Sequence, residues 1–429
     1  MSDQPDTEIT TLDSGVRVAS EHVPSVRSVA LGIWMRTGSR DETHEQAGLS
    51  HFLEHLLFKG TDRFSSQEID ETFDAMGAEV NAGTSKESTS VYSRFLDRHL
   101  DHSFDVMSDM VLRPTYPDID SERQVVIEEI AMYEDEPSDK VHDVLADAVF
   151  GDHPLGRPVI GRAEVIGNVP VPDIAAYRDA HYVSSNLVVS AAGNIEHDRL
   201  VALVEASLDD KVSAEAPAMS NGALKQADPR LCFHSKETEQ YHLALGAPGL
   251  ARDDERRFTL RVLDTILGGS TSSRLFQEVR EKRGLAYAVY SFAQQYTDSG
   301  QVGLYVGTRP DNVQEAMDVI GTELRRLVAD GVTPAELERA RENVKGRTTL
   351  AMESTLARMN RLGSSLLMGV PLLTLDEVLA KVDAVTLDGV QELAAELFDP
   401  ARMSAAGVGA DEDSFRKAVG DVNPSLIAA

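Results

Sequence analysis

His51, Glu54 and His55 stand within five residues of one another in the stretch GLSHFLEHLLFKG, inside an otherwise apolar run. On a helix the two histidines lie one turn apart on one face, and Glu54, three residues after His51, shares that face. Both imidazoles can then converge on one ion with a carboxylate beside it. The order H-x-x-E-H inverts the H-E-x-x-H arrangement and divides the labour in the same way: two histidine ligands for zinc and a glutamate general base for the water it activates. A hydrolytic zinc also needs a third protein ligand and an open position. Five residues with three fixed positions fit a packed core helix equally well, so the third ligand decides.

The segment DIDSERQVVIEEIAMYEDEPSDKVHDV supplies several carboxylates. Helical geometry puts Glu122, Val126, Glu129 and Tyr133 on one face, whereas Glu128 shares a face with Ser121 and Gln124 that reads as solvent. An acid on the stripe of Val126 is costly to bury unless it meets a cation. That favours Glu129 as third ligand and Glu122 as its auxiliary partner. The acidic run YEDEPSD at 133–139, with Pro137 and no apolar period, reads as a solvated helix interruption.

These groups need a framework to hold them, and the chain is long enough to build one. Its 429 residues exceed what one core usually organises, roughly 250–300, so two domains are expected. A hydrophobic share of 42% and a charged share of 26% are those of a globular protein. The net charge of -30, from 41 Lys+Arg against 71 Asp+Glu, repels phosphate backbones and anionic lipid and argues against nucleic acid and membrane surfaces as partners. With Cys232 as the single cysteine, no intrachain disulfide forms and a zinc site must use histidine and carboxylate; Cys232 itself reads as an inert, buried small hydrophobe. The opening MSDQPDTEITTLDSG has neither a basic nor an apolar leader region, and no run of 18 apolar residues follows, so a cytoplasmic location is expected.

GVRVASEHV and SVALGIWMRTGSR read as strands about a turn at Pro24 and Ser25, followed by a helix from Glu45 to about Phe58. A helix over Ser66–Met76 stopped by Gly77, two strands in AEVNAGTSKESTSVYSRFL, helices over 97–113 and 118–150, and a strand over 186–193 complete the first half. DDKVSAEAPAMSNGALKQADP, between Asp209 and Pro229, is the best linker candidate. Beyond it the pattern restarts: YHLALGAPGLARDDERRFTLRVLDTILGG echoes VRSVALGIWMRTGSRDETHEQAGLSHFLEHLLFKG, and ARMSAAGVGADEDSF echoes NLVVSAAGNIEHDRL. The expected fold is therefore α+β, two homologous sandwich domains of mixed or antiparallel sheet and helices related by internal duplication: 1–210, a linker at 211–229, and 230–429. Only the first half keeps the histidines.

HFLEH, followed about seventy residues later by ERQVVIEE, resembles the pitrilysin-type (M16) zinc metallopeptidases, in the short-subunit branch that contains mitochondrial processing peptidase and bacterial homologues. The resemblance implies an endopeptidase acting on peptides or unfolded, extended polypeptide segments. It implies one zinc per chain on His51, His55 and Glu129, with Glu54 as base and Glu122 matching the family's second important glutamate; Glu128 stays a rival third ligand. Phe58 matches an aromatic lining the pocket after the cut, and also fits a core position. NAGTS at 81–85 is similar to the family's edge strand that takes up an extended peptide by β-addition, with Asn81 and Ala82 as the contact candidates. SSRLFQEVREKRGLAYAVYSF resembles the segment whose Arg and Tyr, here Arg280 and Tyr287, bind and polarise substrate; VREKRG also fits an ordinary charged helix end stopped by Gly284. The glycine-rich loop of the noncatalytic processing subunit is absent. Because this branch assembles four homologous domains, the resemblance implies a homodimer. The rival readings are a noncatalytic subunit like the core proteins of a respiratory complex, and one half of a heterodimeric peptidase.

Overall fold

The structure, a computed structural model, describes residues 6–117, 119–208, 217 and 228–427. Residues 211–216 and 218–227 of the expected linker lie outside the described residues. The chain forms two compact units.

In the first unit β1 (Asp6–Thr11), β2 (Arg17–His22), β3 (Ser28–Met35), β4 (Glu79–Thr84), β5 (Thr89–Leu96) and β6 (Leu187–Gly193) make one sheet in the order β1-β2-β6-β3-β5-β4. β2 and β6 run parallel, and the remaining neighbours are antiparallel. β3 and β6 are buried almost throughout, as their unbroken apolar runs require of strands covered on both faces. β4 alternates exposed and half-buried residues and, among the described residues, pairs only with β5, which leaves its other side an open sheet edge. β1 was not anticipated: DTEITT carries too little hydrophobicity to announce a strand.

The second sheet comprises β7 (Leu231–Ser235), β8 (Tyr241–Pro248), β9 (Ala286–Gln295), β10 (Gly300–Thr308) and β11 (Ser404–Gly409), in the order β7-β11-β8-β10-β9. Its parallel pair β7 and β11 answers β2 and β6, and β8, β10 and β9 answer β3, β5 and β4. This is the duplicated α+β fold expected from the repeated sequence pattern. Cys232, expected to be buried, is only half-buried, because β7 is an edge strand with a neighbour on one side.

The units depart from a simple division at the linker. Residues 131–157 belong with the second unit and 350–372 with the first. The reason is an exchange of apolar helix faces. Val141, Leu145 and Val149 pack against Ala244, Tyr305, Ala406 and Val408 of the second sheet. The helix Thr355–Met368 puts Met359 and Leu367 against Ala30, Trp34, Val188 and Ala192 of the first. There Trp34 Nε1 donates to Ser190 Oγ at 2.8 Å, and Ser190 Oγ donates to the Met359 carbonyl at 3.0 Å. Gly363 is obligatory at this crossing, since a Cβ would lie 2.1 Å from Trp34 Nε1. Glu21, 1% exposed, is compensated by Arg358 and Arg361 from the same helix.

Four helices frame the first unit's chemistry, α1 (Leu49–Leu56), α2 (Ser66–Met76), α3 (Leu100–Leu112) and α4 (Ile119–Asp135), and α5 (Pro137–Phe150) follows in the second unit. α2 has the expected bounds, with Gly77 at φ +63° as its left-handed stop. The helical stretch expected over 118–150 is two helices, divided within the expected solvated interruption at 133–139, because Pro137 lacks an N–H and opens a new first turn. α1 is shorter than the expected 45–58, since Gly48 at φ +100° precludes helix before it. No helix among the described residues is long and apolar enough to cross a membrane.

Candidate metal centre

α1 is fixed at its N-terminus and along one face. The Glu42 carboxylate accepts from Gly48 N at 2.8 Å and Ser50 N at 2.7 Å, satisfying orphan donors at the helix N-terminus with a favourable charge. Leu49, Phe52, Leu53 and Leu56 are buried, each stabilising the fold by roughly 1.5–3 kcal/mol. Ser50 Oγ meets the buried Tyr177 hydroxyl at 2.8 Å. His51, Glu54 and His55 are left on the half-buried face.

α4 is anchored to the same unit by Arg123. Its buried guanidinium donates to the carbonyls of Ile166 and Val169 and lies 5.5 Å from the centre of the Phe52 ring of α1. Glu122, Val126 and Ile130 are buried, Glu129 is half-buried and Glu128 is exposed, as the helical period requires.

The result is a convergence of three donors. Ligand atoms of His51, His55 and Glu129 all lie within 4.8 Å of one another. Glu129 Oε2 is 3.7 Å from His51 Nε2 and 3.3 Å from His55 Nε2. Glu128 is not in the cluster. Behind His55, Nδ1 donates to Glu122 Oε1 at 2.9 Å, and Glu122 Oε2 meets Lys59 Nζ at 2.6 Å. Burial, with His55 beside it, lowers the His51 imidazole to about 4, which leaves it neutral near pH 7. Burial also pushes the Glu54 carboxyl above the usual glutamate value, against the pull of a hydrogen bond from Thr84 Oγ1 to Glu54 Oε2 at 2.5 Å.

These residues fit a zinc ion. Two donors each roughly 2.1 Å from a tetrahedral zinc stand about 3.4 Å apart, and the two Glu129 distances, 3.3 and 3.7 Å, bracket that value. Bonding of His55 Nδ1 to a carboxylate fixes the tautomer whose Nε2 lone pair faces Glu129, the usual support for a metal-bound histidine. His51 Nδ1 is buried without a partner among the described residues, so Glu122 orients one ring and not the other.

The structure places the other expected residues as follows. Phe58 lies in the turn after α1 and packs partly against the core. Asn81 and Ala82 sit on the open edge strand β4, where Asn81 Oδ1 accepts from Ala82 N at 2.8 Å. Arg280 and Tyr287 belong to the second unit. The Arg280 guanidinium lies 4.4 Å from the centre of the Tyr287 ring, and its Nη1 donates to the Tyr287 carbonyl at 3.1 Å. Arg280 stands in a π-helical turn, Phe276–Glu281, and Tyr287 is 79% exposed at the start of edge strand β9.

Sequence reasoning missed Lys59, Thr84, Glu42 and Arg123. Lys59 had a signal, since it follows His55 at i+4. Thr84 had one too, because Val80, Ala82 and Thr84 share one face of an alternating strand.

Known proteins resemble this chain along most of its length. Residues 17–163 match the family model described as Insulinase (Peptidase family M16), and residues 168–344 match that described as Peptidase M16 inactive domain. An uncharacterized zinc protease of Streptomyces coelicolor is 43% identical over 396 residues, covering 90% of this chain and 86% of that protein. An uncharacterized zinc protease of Bacillus subtilis is 44% identical over 391 residues, covering 90% and 95% respectively. Among solved structures, a protease from Helicobacter pylori superposes with TM-score 0.89 at 23% identity over 95% of this chain and 100% of that one. A peptidase M16 inactive domain from Pseudomonas fluorescens gives 0.88 at 20% identity, covering 95% of this chain and 98% of that one. The duplicated fold, the H-x-x-E-H helix and these relatives together establish that the chain belongs to peptidase family M16, the pitrilysin-type zinc proteases.

Proposed function

We propose that this chain is a zinc endopeptidase that cuts extended polypeptide segments. The observation that carries this reading is the convergence of His51, His55 and Glu129 within 4.8 Å, with Glu54 on the same face of α1. Bound zinc would supply Lewis acidity, polarising the scissile carbonyl and lowering the pKa of water toward about 7.

The chain's own residues supply the rest. The open edge of β4 offers main-chain donors and acceptors to an extended peptide, with Asn81 and Ala82 at its centre, and this binds many sequences with little side-chain choice. Glu54 takes the water proton on Oε1 and passes it to the leaving amine nitrogen. Glu122 holds His55 in its ligating tautomer. Arg280 and Tyr287 grip the substrate, the exposed tyrosine hydroxyl donating to the carbonyl oxygen as charge develops there. Phe58 lines the subsite after the cut.

Two such chains as a homodimer bring together four homologous domains. A noncatalytic subunit has no need of a complete donor set, a base and the Arg280–Tyr287 pair, all of which this chain keeps. Digestion of an unstructured peptide library by the zinc-loaded protein tests the activity: internal cleavage abolished by chelation supports it, and intact peptides overturn it. Light scattering at about twice the chain mass supports the homodimer, and a monomer that needs a second protein for cleavage contradicts it.

A further inference from the structure

We propose that Thr84 is a positioning residue for Glu54, tying the strand that takes up the peptide to the group that moves the proton. The inference rests on the reading of Glu54 as the base.

β4 alternates, so Glu79, Asn81 and Gly83 are exposed while Val80, Ala82 and Thr84 are half-buried. Thr84 ends the strand, with its hydroxyl beside α1. That hydroxyl has one proton, and three acceptors stand near it: Glu54 Oε2 at 2.5 Å, Thr89 Oγ1 at 3.4 Å and the Ser50 carbonyl at 3.5 Å. The shortest contact is to the ionisable group, the charge-assisted choice. The Thr84 backbone N–H also faces the same carboxylate, with a weaker pull. A glutamate on a helix face otherwise has three rotatable torsions. One oxygen held by Thr84 presents the other at a defined place, whereas a freely turning side chain spends much of its time elsewhere.

The separation of Thr84 from Glu54 is set by the framework. Ser39 N donates to the Ser85 carbonyl at 3.2 Å and Arg40 N to the Lys86 carbonyl at 2.8 Å, gripping the hairpin turn just beyond Thr84. Arg40 and Glu87, both buried, pair at 2.7 Å. Gly38 belongs to the same grip, since a Cβ there would lie 2.2 Å from the Ser85 carbonyl oxygen. Glu42, two residues after Arg40, caps α1. Residues 38–42 therefore hold the end of β4 and the start of α1 at once, and removal of one hydroxyl need not disturb either.

The test compares Thr84→Val, Thr84→Ala and Thr84→Ser with the wild type for kcat, KM, zinc dissociation constant and unfolding midpoint. Loss of the hydroxyl is expected to lower kcat by roughly 10- to 100-fold, the worth of one hydrogen bond to a charged group. KM, zinc affinity and unfolding midpoint should stay at wild-type values. Thr84→Ser should restore kcat, and in a Glu54→Gln background Thr84→Val should cost nothing further. Wild-type kcat in both Thr84→Val and Thr84→Ala, with Glu54→Gln inactive, would overturn the proposal. So would a loss shared by zinc affinity and unfolding midpoint that serine does not rescue. Full turnover by Glu54→Gln would strike the base reading itself, a separate and distinguishable failure.

Discussion

His55 Nδ1 donates to Glu122 Oε1 at 2.9 Å, and the same carboxylate receives Lys59 Nζ at 2.6 Å on its other oxygen. The imidazole that faces Glu129 is thus oriented from behind by an acid whose side chain is 6% exposed and whose charge is met by a lysine. His51 has no such support at Nδ1 among the described residues, so the carboxylate orients His55 alone.

Glu122→Gln keeps the size and removes the charge. It should weaken zinc binding by about 10- to 100-fold, the usual cost of losing such a partner. Competition with a chromogenic chelator measures it. Wild-type affinity would show that His55 needs no carboxylate behind it.

The buried pair of Arg40 and Glu87, at 0% and 2% side-chain exposure, anchors the β4–β5 hairpin. Arg40→Met takes the guanidinium away from the buried Glu87 carboxylate and should cost ~3–5 kcal/mol in urea unfolding. Adding Glu87→Leu should recover most of that loss, because both charges then leave together. If the double variant is less stable than the sum of the two single changes, the pair is not acting as a compensated unit.

Asp41 gives a pH dependence of known sign. Burial, only partly offset by the Gly38 N–H and Arg40, pushes its carboxyl from 3.8 up to about 6. The fold favours the protonated acid, so this contribution is complete below about pH 4 and is lost as pH rises through about 6. Asp41→Asn should match the wild type below pH 4 and exceed it above pH 6 by roughly 1–3 kcal/mol. Denaturation at pH 3.5 and 7 decides; equal stability at pH 7 contradicts the shift.

How far these groups could be read from sequence depends on whether their spacing is local. His51, Glu54 and His55 share a helical turn, and a single period separates Glu129 from Glu128 and puts Glu122 on the same stripe. Thr84 depends on which strand face meets α1, and Lys59 on which helix comes to lie beside the end of α1, which only tertiary packing decides. The same holds for the exchanged helices. The apolar stripes of Pro137–Phe150 and Thr355–Met368 show that each must cover something, and nothing in either stripe names the sheet. The duplication was legible because the pattern repeats, whereas the late start of α1 follows from the left-handed turn Gly48 makes against Gly161, whose Cα would lie 2.9 Å from a Cβ at Gly48.

The central claim, that α1 and α4 build a hydrolytic zinc site with Glu54 as its base, is tested most directly by measuring zinc content and peptide cleavage on the same preparations of wild type and Glu54→Gln. The account predicts one zinc per chain in both, with kcat lower by roughly 10²–10⁴-fold in the variant. Undiminished cleavage by zinc-loaded Glu54→Gln, or a wild-type protein that neither binds zinc nor cuts, would contradict it.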